Sequence, residues 1–211
     1  MLLLALDTSG PTVSVALHDG TRVVATATGQ GAMAHGELLA PGIRDVLSQG
    51  GVTPADLTDV AVGVGPGPFT GLRVGVVTAR TLAATLGLAA HGVCSLDVVA
   101  HAVRGVYSDV LVATDARRKE VYWARYVDGE RVVGPEVDRP ADLAARHPNL
   151  PAVGRGASLY PDLLPAAEGP ADAQAADLAW AVVAGVATEV PLEPLYLRRP
   201  DAVVPGLPKR A

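Results

Sequence analysis

Gly65-Pro66-Gly67-Pro68-Phe69-Thr70-Gly71-Leu72-Arg73-Val74-Gly75 carries the chain from a continuously apolar run into a helical pattern. Residue identity excludes two phosphate-binding readings of this turn. A P-loop needs Lys after its last glycine, and here Leu72 follows Gly71. The dinucleotide fingerprint needs a third glycine where Thr70 stands, after Gly65 and Gly67. What remains is a stiffened turn in which Gly65 and Gly67 are free to take positive φ, Pro66 and Pro68 restrict the path, and Thr70 is placed to cap a helix. Exposed amides at the start of that helix would still attract an anion.

The helix itself, expected from Thr70 to Leu86, carries Gly71, Gly75, Ala79 and Ala83 at every fourth position, a ridge without bulk that lets another element come close. Leu72, Val74, Val76, Val77, Leu82 and Leu86 leave little of its circumference polar, as in a helix buried on more than one side. One side fits a sheet. The other is covered either by the second half of this chain or by a helix of a partner, and the pattern alone supports both.

Outward from the turn, Val60–Val64 reads as a buried strand, and residues 2–6 are apolar throughout, as a strand buried on both faces should be. Residues 12–18 and 22–28 alternate around His18-Asp19-Gly20-Thr21, a hairpin signal. A helix is expected over 34–49, where Leu38, Leu39, Ile43, Val46 and Leu47 fall at helical spacing and Gly50-Gly51 stops it. Thr53-Pro54 begins a helical turn. A strand at 89–93 and a helix at 95–103 complete a β-β-β-α-β-α unit of mixed α/β class. The second unit has strands at 110–113 and 121–127, shorter ones near Val132 and Val153, a helix at 140–146 and an Ala-rich helix at 174–188. The tail from Pro191 holds five prolines and reads as extended. Two units are expected, 1–105 and 106–211.

The chain has 211 residues, 49% of them hydrophobic, enough for a substantial core. Its formal charge of −5 argues against tight binding of nucleic acid by this chain alone, because affinity for phosphates comes from clustered Lys and Arg. Cys94 is the single cysteine, which excludes an internal disulfide and reads as a small buried hydrophobe. The apolar start MLLLALDTSG lacks the basic region of a signal peptide and is too short to span a membrane, so a cytoplasmic protein is expected.

VAVGVGPGPFTGLRVGVVTARTLA (60–83), after LALDTS (4–9) and HGELLAPGI (35–43), closely resembles the TsaB family, also called YeaZ. The resemblance extends to GVCSLDVVA (92–100), DARRKEVYWARY (115–126) and PLYLRRPDA (194–202), so it covers most of the chain. The family usually has Ser where Pro68 stands. The resemblance implies the actin/Hsp70-like ATPase (ASKHA, ribonuclease H-like) fold in two lobes, the second shortened. It implies a role in forming N6-threonylcarbamoyladenosine at position 37 of tRNAs reading codons that begin with A. In that pathway the metal-bearing paralogue TsaD transfers the carbamoyl group, TsaB binds TsaD, and the ATPase TsaE joins them, with ATP used by the wider complex.

TsaD carries an HxxxH metal pair where this chain has Ser95 and Val99, neither of which supports a transition-metal site of that kind. His101 is unpaired, and His35 and His91 have no ligand spacing. The resemblance therefore implies a non-catalytic subunit without metal or firmly bound cofactor. Asp7-Thr8-Ser9 and Asp115 stand where an ASKHA protein places its phosphate hairpins; Asp7 is expected to be a structural hydrogen-bonding residue, and the four a vestigial nucleotide site. Arg117-Arg118-Lys119 reads as a solvated hairpin tip, with contact to tRNA or a shared nucleotide as the alternative. The helices over 34–49 and 70–86 are expected to form a four-helix bundle with TsaD through Leu38, Leu39, Ile43, Leu72, Val76 and Ala79, with Arg73 and Arg80 at the rim, and a homodimer in its absence. The rivals are a stand-alone ASKHA-type ATP-binding enzyme and a metalloprotease; no HExxH or Ser/His/Asp arrangement supports the latter.

Overall fold

The computed structural model describes residues 1–30 and 35–198. The first strand β1 (Leu3–Asp7) is flanked by β2 (Thr12–His18) and β4 (Asp59–Gly63), antiparallel to the first and parallel to the second. Beyond β2 lies β3 (Val23–Gln30), and beyond β4 the parallel β5 (Ala89–Val93). With β10 (Glu189–Val190) on the edge of β5, the order is β10-β5-β4-β1-β2-β3. β1 is apolar throughout because both of its faces are covered, and all five of its residues are buried.

On one face, Leu4, Leu6, Val13, Val15, Val60 and Val62 pack beneath α1 (His35–Gly50) and α2 (Phe69–Leu86). On the other, Leu3, Ala5, Ala16 and Ala61 meet α3 (Ser95–Ala102) and α6 (Ala175–Val183). The same two helices pack against a second sheet of order β8-β7-β6-β9, formed by β6 (Asp109–Asp115), β7 (Val121–Val127), β8 (Glu130–Asp138) and β9 (Ala152–Val153). Val110, Val112, Ala124 and Tyr126 face the shared layer, whereas Leu111, Ala113, Val121 and Trp123 face outward to Leu143 of α4 (Pro140–Arg146) and Ala157 of α5 (Arg155–Leu159). The alternation of β6 and β7 thus serves two cores.

This is the ASKHA architecture, with a second sheet smaller than the first. The chain returns to the first sheet after residue 172: α6 lies on β1, β2 and β4, and β10 pairs with β5. A division at residue 105 therefore separates the sheets but not everything packed on them.

Several element boundaries differ from the sequence reading. α6 stops at Val183 rather than at Thr188, because Gly185 turns left-handed (φ 67°) and its N–H closes on the Val182 carbonyl. Neither α5 nor β10 is visible in periodicity, being five and two residues long. The expected start of α1 at Ala34 and the tail from Arg199 lie outside the described residues. Among the described residues no helix is long and apolar enough to cross a membrane.

Candidate docking face and interlobe cleft

The glycine turn leaves β4 at the point where the two lobes meet. Gly65 is left-handed (φ 104°), as anticipated. Gly67 is not: its backbone needs no glycine, but a Cβ there would stand 2.2 Å from the Ser9 carbonyl oxygen. Thr70 does not cap the helix either. α2 starts at Phe69 with Pro68 in the N-cap position, so Thr70 sits exposed within the first turn.

The small-residue ridge of α2 has a different neighbour from the one its pattern suggests. A Cβ on Gly71 would lie 2.4 Å from the Thr8 carbonyl oxygen, and one on Gly75 would lie 2.4 Å from Thr8 Oγ1. The close-approaching element is the β1–β2 turn of the same chain. Thr8 Oγ1 donates to the Gly71 carbonyl at 2.7 Å, which fastens that turn to the helix. Leu72, Val76 and Ala79 point the same way and are 0%, 1% and 0% exposed; Leu39 of α1 is 2% exposed. These four belong to the core of this chain rather than to the partner-facing surface expected from the sequence.

A different stripe of α2 faces solvent. Phe69, Arg73, Val77, Arg80 and Ala84 recur at intervals of three and four and are exposed, Val77 to 58%. On the neighbouring α1, Leu38 and Ile43 are half-buried. An open groove of about 390 Å³ runs along α2 between Val76, Val77, Arg80, Thr81, Ala84, Thr85 and Pro194. The sequence reading missed Phe69, Val77 and Ala84. Counting Val77 among the apolar residues concealed that it lies on the far side of the helix from Leu72 and Ala79.

The interlobe cleft is lined by Ser9, Gly10, Pro66, Pro68, Ser95, Thr114, Asp115, Arg117 and Asp172. Asp7 sits behind it, 1% exposed. Its Oδ1 accepts from Ser9 N–H and Ser9 Oγ (2.8 and 2.7 Å), and its Oδ2 accepts from Ser95 Oγ (2.8 Å). Ser95 Oγ in turn accepts from Gly65 N–H, and Gly65 O accepts from Ser95 N–H, so Asp7 and Ser95 hold the glycine turn against β1. Burial raises the Asp7 carboxyl above its usual range, against the opposing pull of the Ser9 and Ser95 hydrogen bonds. Asp115 Oδ1 accepts from Arg117 N–H at 2.7 Å within its own hairpin. Arg117, Arg118 and Lys119 form the exposed tip, each in the left-handed region.

Asp172 spans the lobes. It accepts from Thr12 Oγ1 on β2 (3.0 Å) and from Arg155 Nε on α5 (2.9 Å), with a second hydrogen bond from Arg155 Nη2. Held this way, the cleft has a volume of about 20 Å³, close to what one water needs. Both Asp7 oxygens are thus engaged within the chain, by Ser9 and Ser95. Ser95 serves Asp7 and Val99 lies in the core, so neither is placed to ligate a metal. Among the described residues, no three His, Cys, Asp or Glu side chains are grouped to hold a metal ion.

The chain is similar to known proteins over most of its length. Residues 29–190 match the family described as TsaD: tRNA N6-adenosine threonylcarbamoyltransferase. An uncharacterized protein of Mycobacterium tuberculosis is 44% identical over 211 residues, covering 95% of this chain and 93% of the relative. The tRNA threonylcarbamoyladenosine biosynthesis protein TsaB of Escherichia coli is 35% identical over 175 residues, covering 77% and 75% respectively. The solved structure of YeaZ from Pseudomonas aeruginosa superposes with a TM-score of 0.73 at 30% identity, over 93% of this chain and 99% of that one. With the glycine turn, the ASKHA topology and relatives at this similarity over most of its length, the chain belongs to the TsaB (YeaZ) family.

Proposed function

We propose that this chain is the non-catalytic subunit that binds TsaD and is required for N6-threonylcarbamoyladenosine formation at position 37 of tRNAs reading codons that begin with A. The observation that carries the reading is the outer face of α1 and α2. In an acidic chain with no grouped metal ligands among its described residues, this face presents an exposed apolar and cationic stripe beside a long groove. An interface needs an apolar centre with a polar rim, and Val77 between Arg73 and Arg80 supplies that pattern on one helix. On α1, Leu38 and Ile43, half-buried against the core, are further contacts of the proposed interface. TsaE joins in a larger complex that consumes ATP, tRNA is met only through that complex, and the work is cytoplasmic. Alone, the chain covers the same face with a second copy.

The rival, a stand-alone ATP-binding enzyme, is disfavoured by the small cleft and by the hydrogen bonds that occupy Asp7. Reconstituted modification of unmodified tRNA, with TsaD, TsaE and all other components of the pathway present, tests the proposal. Product formation is expected only when this chain is added; full activity without it overturns the assignment.

A further inference from the structure

At the N-terminal end of the docking face, three planar groups interleave. The Arg73 guanidinium carbon lies 3.8 Å from the centre of the Phe69 ring, and that ring stacks on Tyr196 with centroids 4.9 Å apart and planes 26° apart. Arg73 Nε donates to Tyr196 Oη at 3.0 Å. Tyr196 belongs to the segment that follows β10 and crosses the outside of the glycine turn. There Leu195 N–H donates to the Val64 carbonyl (2.8 Å). Two residues past Tyr196, Arg198 Nη1 donates to the Ala116 carbonyl (2.7 Å) and pairs with Glu120 in the second lobe. The tyrosine is therefore held from both sides, and through it a long, exposed side chain has lost most of its rotamer freedom.

We propose that Arg73 is a carboxylate receptor on the docking face, pre-set by Phe69 and Tyr196. Its Nε is already used, while among the described residues no carboxylate pairs with its two terminal nitrogens. Those nitrogens form the edge of the fork that meets a carboxylate bidentately, and a guanidinium fixed on an aromatic face loses little further entropy when it does so. The charge pattern names the occupant. From Phe69 to Leu86, α2 carries Arg73, Arg80 and no acid, although the whole chain is at −5. The two arginines are two turns apart on one face, roughly 10 Å along the axis. The complement is a partner-protein helix whose apolar stripe is flanked by carboxylates at the same two-turn spacing. The assignment rests on the docking reading above and names the chemistry that reading requires of TsaD.

The test is calorimetric titration of the full chain with TsaD of the same organism, at low and at near-physiological salt. Arg73→Met is expected to weaken binding about 10- to 30-fold at low salt and to flatten the salt dependence. Tyr196→Phe, which keeps the stack and loses the hydrogen bond, should weaken it several-fold, and Arg73→Lys should not restore it because an ammonium cannot lie on the ring and present a fork. Thermal melts of the exposed-site variants should match the parent, separating the effect from misfolding. Binding by Arg73→Met within twofold of the parent and with the same salt slope overturns the proposal, provided Val77→Arg abolishes binding. If Val77→Arg also binds normally, the docking reading itself falls. An Arg73→Met variant that loses self-association but keeps TsaD affinity assigns the receptor to a second copy and overturns it as well.

Discussion

Gly71→Ala separates two accounts of the same helix by the sign of its effect. If the small-residue ridge were a free surface awaiting a partner, adding a methyl group would stabilise the isolated chain, since alanine exceeds glycine by up to about 1 kcal/mol inside a helix. In the structure that methyl carbon would sit 2.4 Å from the Thr8 carbonyl oxygen, over a buried position at the third residue of α2. The obstacle is backbone, so no rotamer relieves it, and Thr8 Oγ1 is itself tied to the Gly71 carbonyl. Overpacking of this kind costs about 1–3 kcal/mol, and the rigid neighbour puts the cost near the upper end. The helix-propensity gain is small in a first turn, which leaves a net loss of about 2 kcal/mol. Urea denaturation followed by far-UV circular dichroism reads this as a lower midpoint at unchanged slope. Gly36→Ala on α1 is the control: nothing lies within 4 Å of its added carbon, so stability should hold or rise by a few tenths of a kcal/mol. A Gly71→Ala chain as stable as its parent would refute the assignment of the ridge to the β1–β2 turn.

Three further outcomes follow from the same geometry. Ser95→Ala removes a donor to Asp7 and an acceptor from Gly65 N–H, both buried, and should cost about 1–3 kcal/mol in the same denaturation assay; a change under half of that would show the network to be dispensable. Burial, reinforced by Asp97, pushes the Cys94 thiol up to about 12, so an alkylating reagent at pH 8 should label it only after unfolding, and rapid native labelling would contradict the packing. His91 is lowered by burial but raised further by hydrogen bonds to Asp59 and Glu189, giving a net upward shift. A raised histidine stabilises the fold fully below its unfolded-state pKa near 6.5, and that contribution fades as pH rises through the higher folded value. The stability advantage over His91→Gln should therefore be largest near pH 6 and shrink on the alkaline side; a constant difference across the range would contradict it.

Much of this architecture is legible in the sequence because its signals are local and strong. The unbroken apolar run of β1, the Asp19-Gly20 hairpin and the period of α2 each point to one kind of element, and the glycine turn excludes phosphate loops by single residues. What periodicity does not carry is the identity of a neighbour. The spacing of Gly71, Gly75 and Ala79 says that something approaches closely, but only the fold shows that it is Thr8, 63 residues upstream of Gly71. The same limit misassigned Leu72, Val76 and Ala79: an all-round apolar helix gives no phase, so the stripe on the sheet and the stripe in solvent look alike until the backbone fixes which is which. Asp172, which joins Thr12 to Arg155 across the lobes, carries no sequence signal because its partners lie 160 and 17 residues away on other elements. Short elements escaped for a related reason. β10 is fixed by pairing with β5 and by His91–Glu189, contacts that two residues of pattern do not announce.

We propose the solvent-facing stripe of α2, and not its glycine ridge, as the surface that docks TsaD. Val77 lies at the middle of that stripe and is 58% exposed, so Val77→Arg should leave the melting curve of the isolated chain unchanged. Calorimetric titration with TsaD measures it directly: a charge buried without a partner at the centre of an interface should weaken binding by about 100-fold or more. Affinity equal to that of the parent chain would contradict the account.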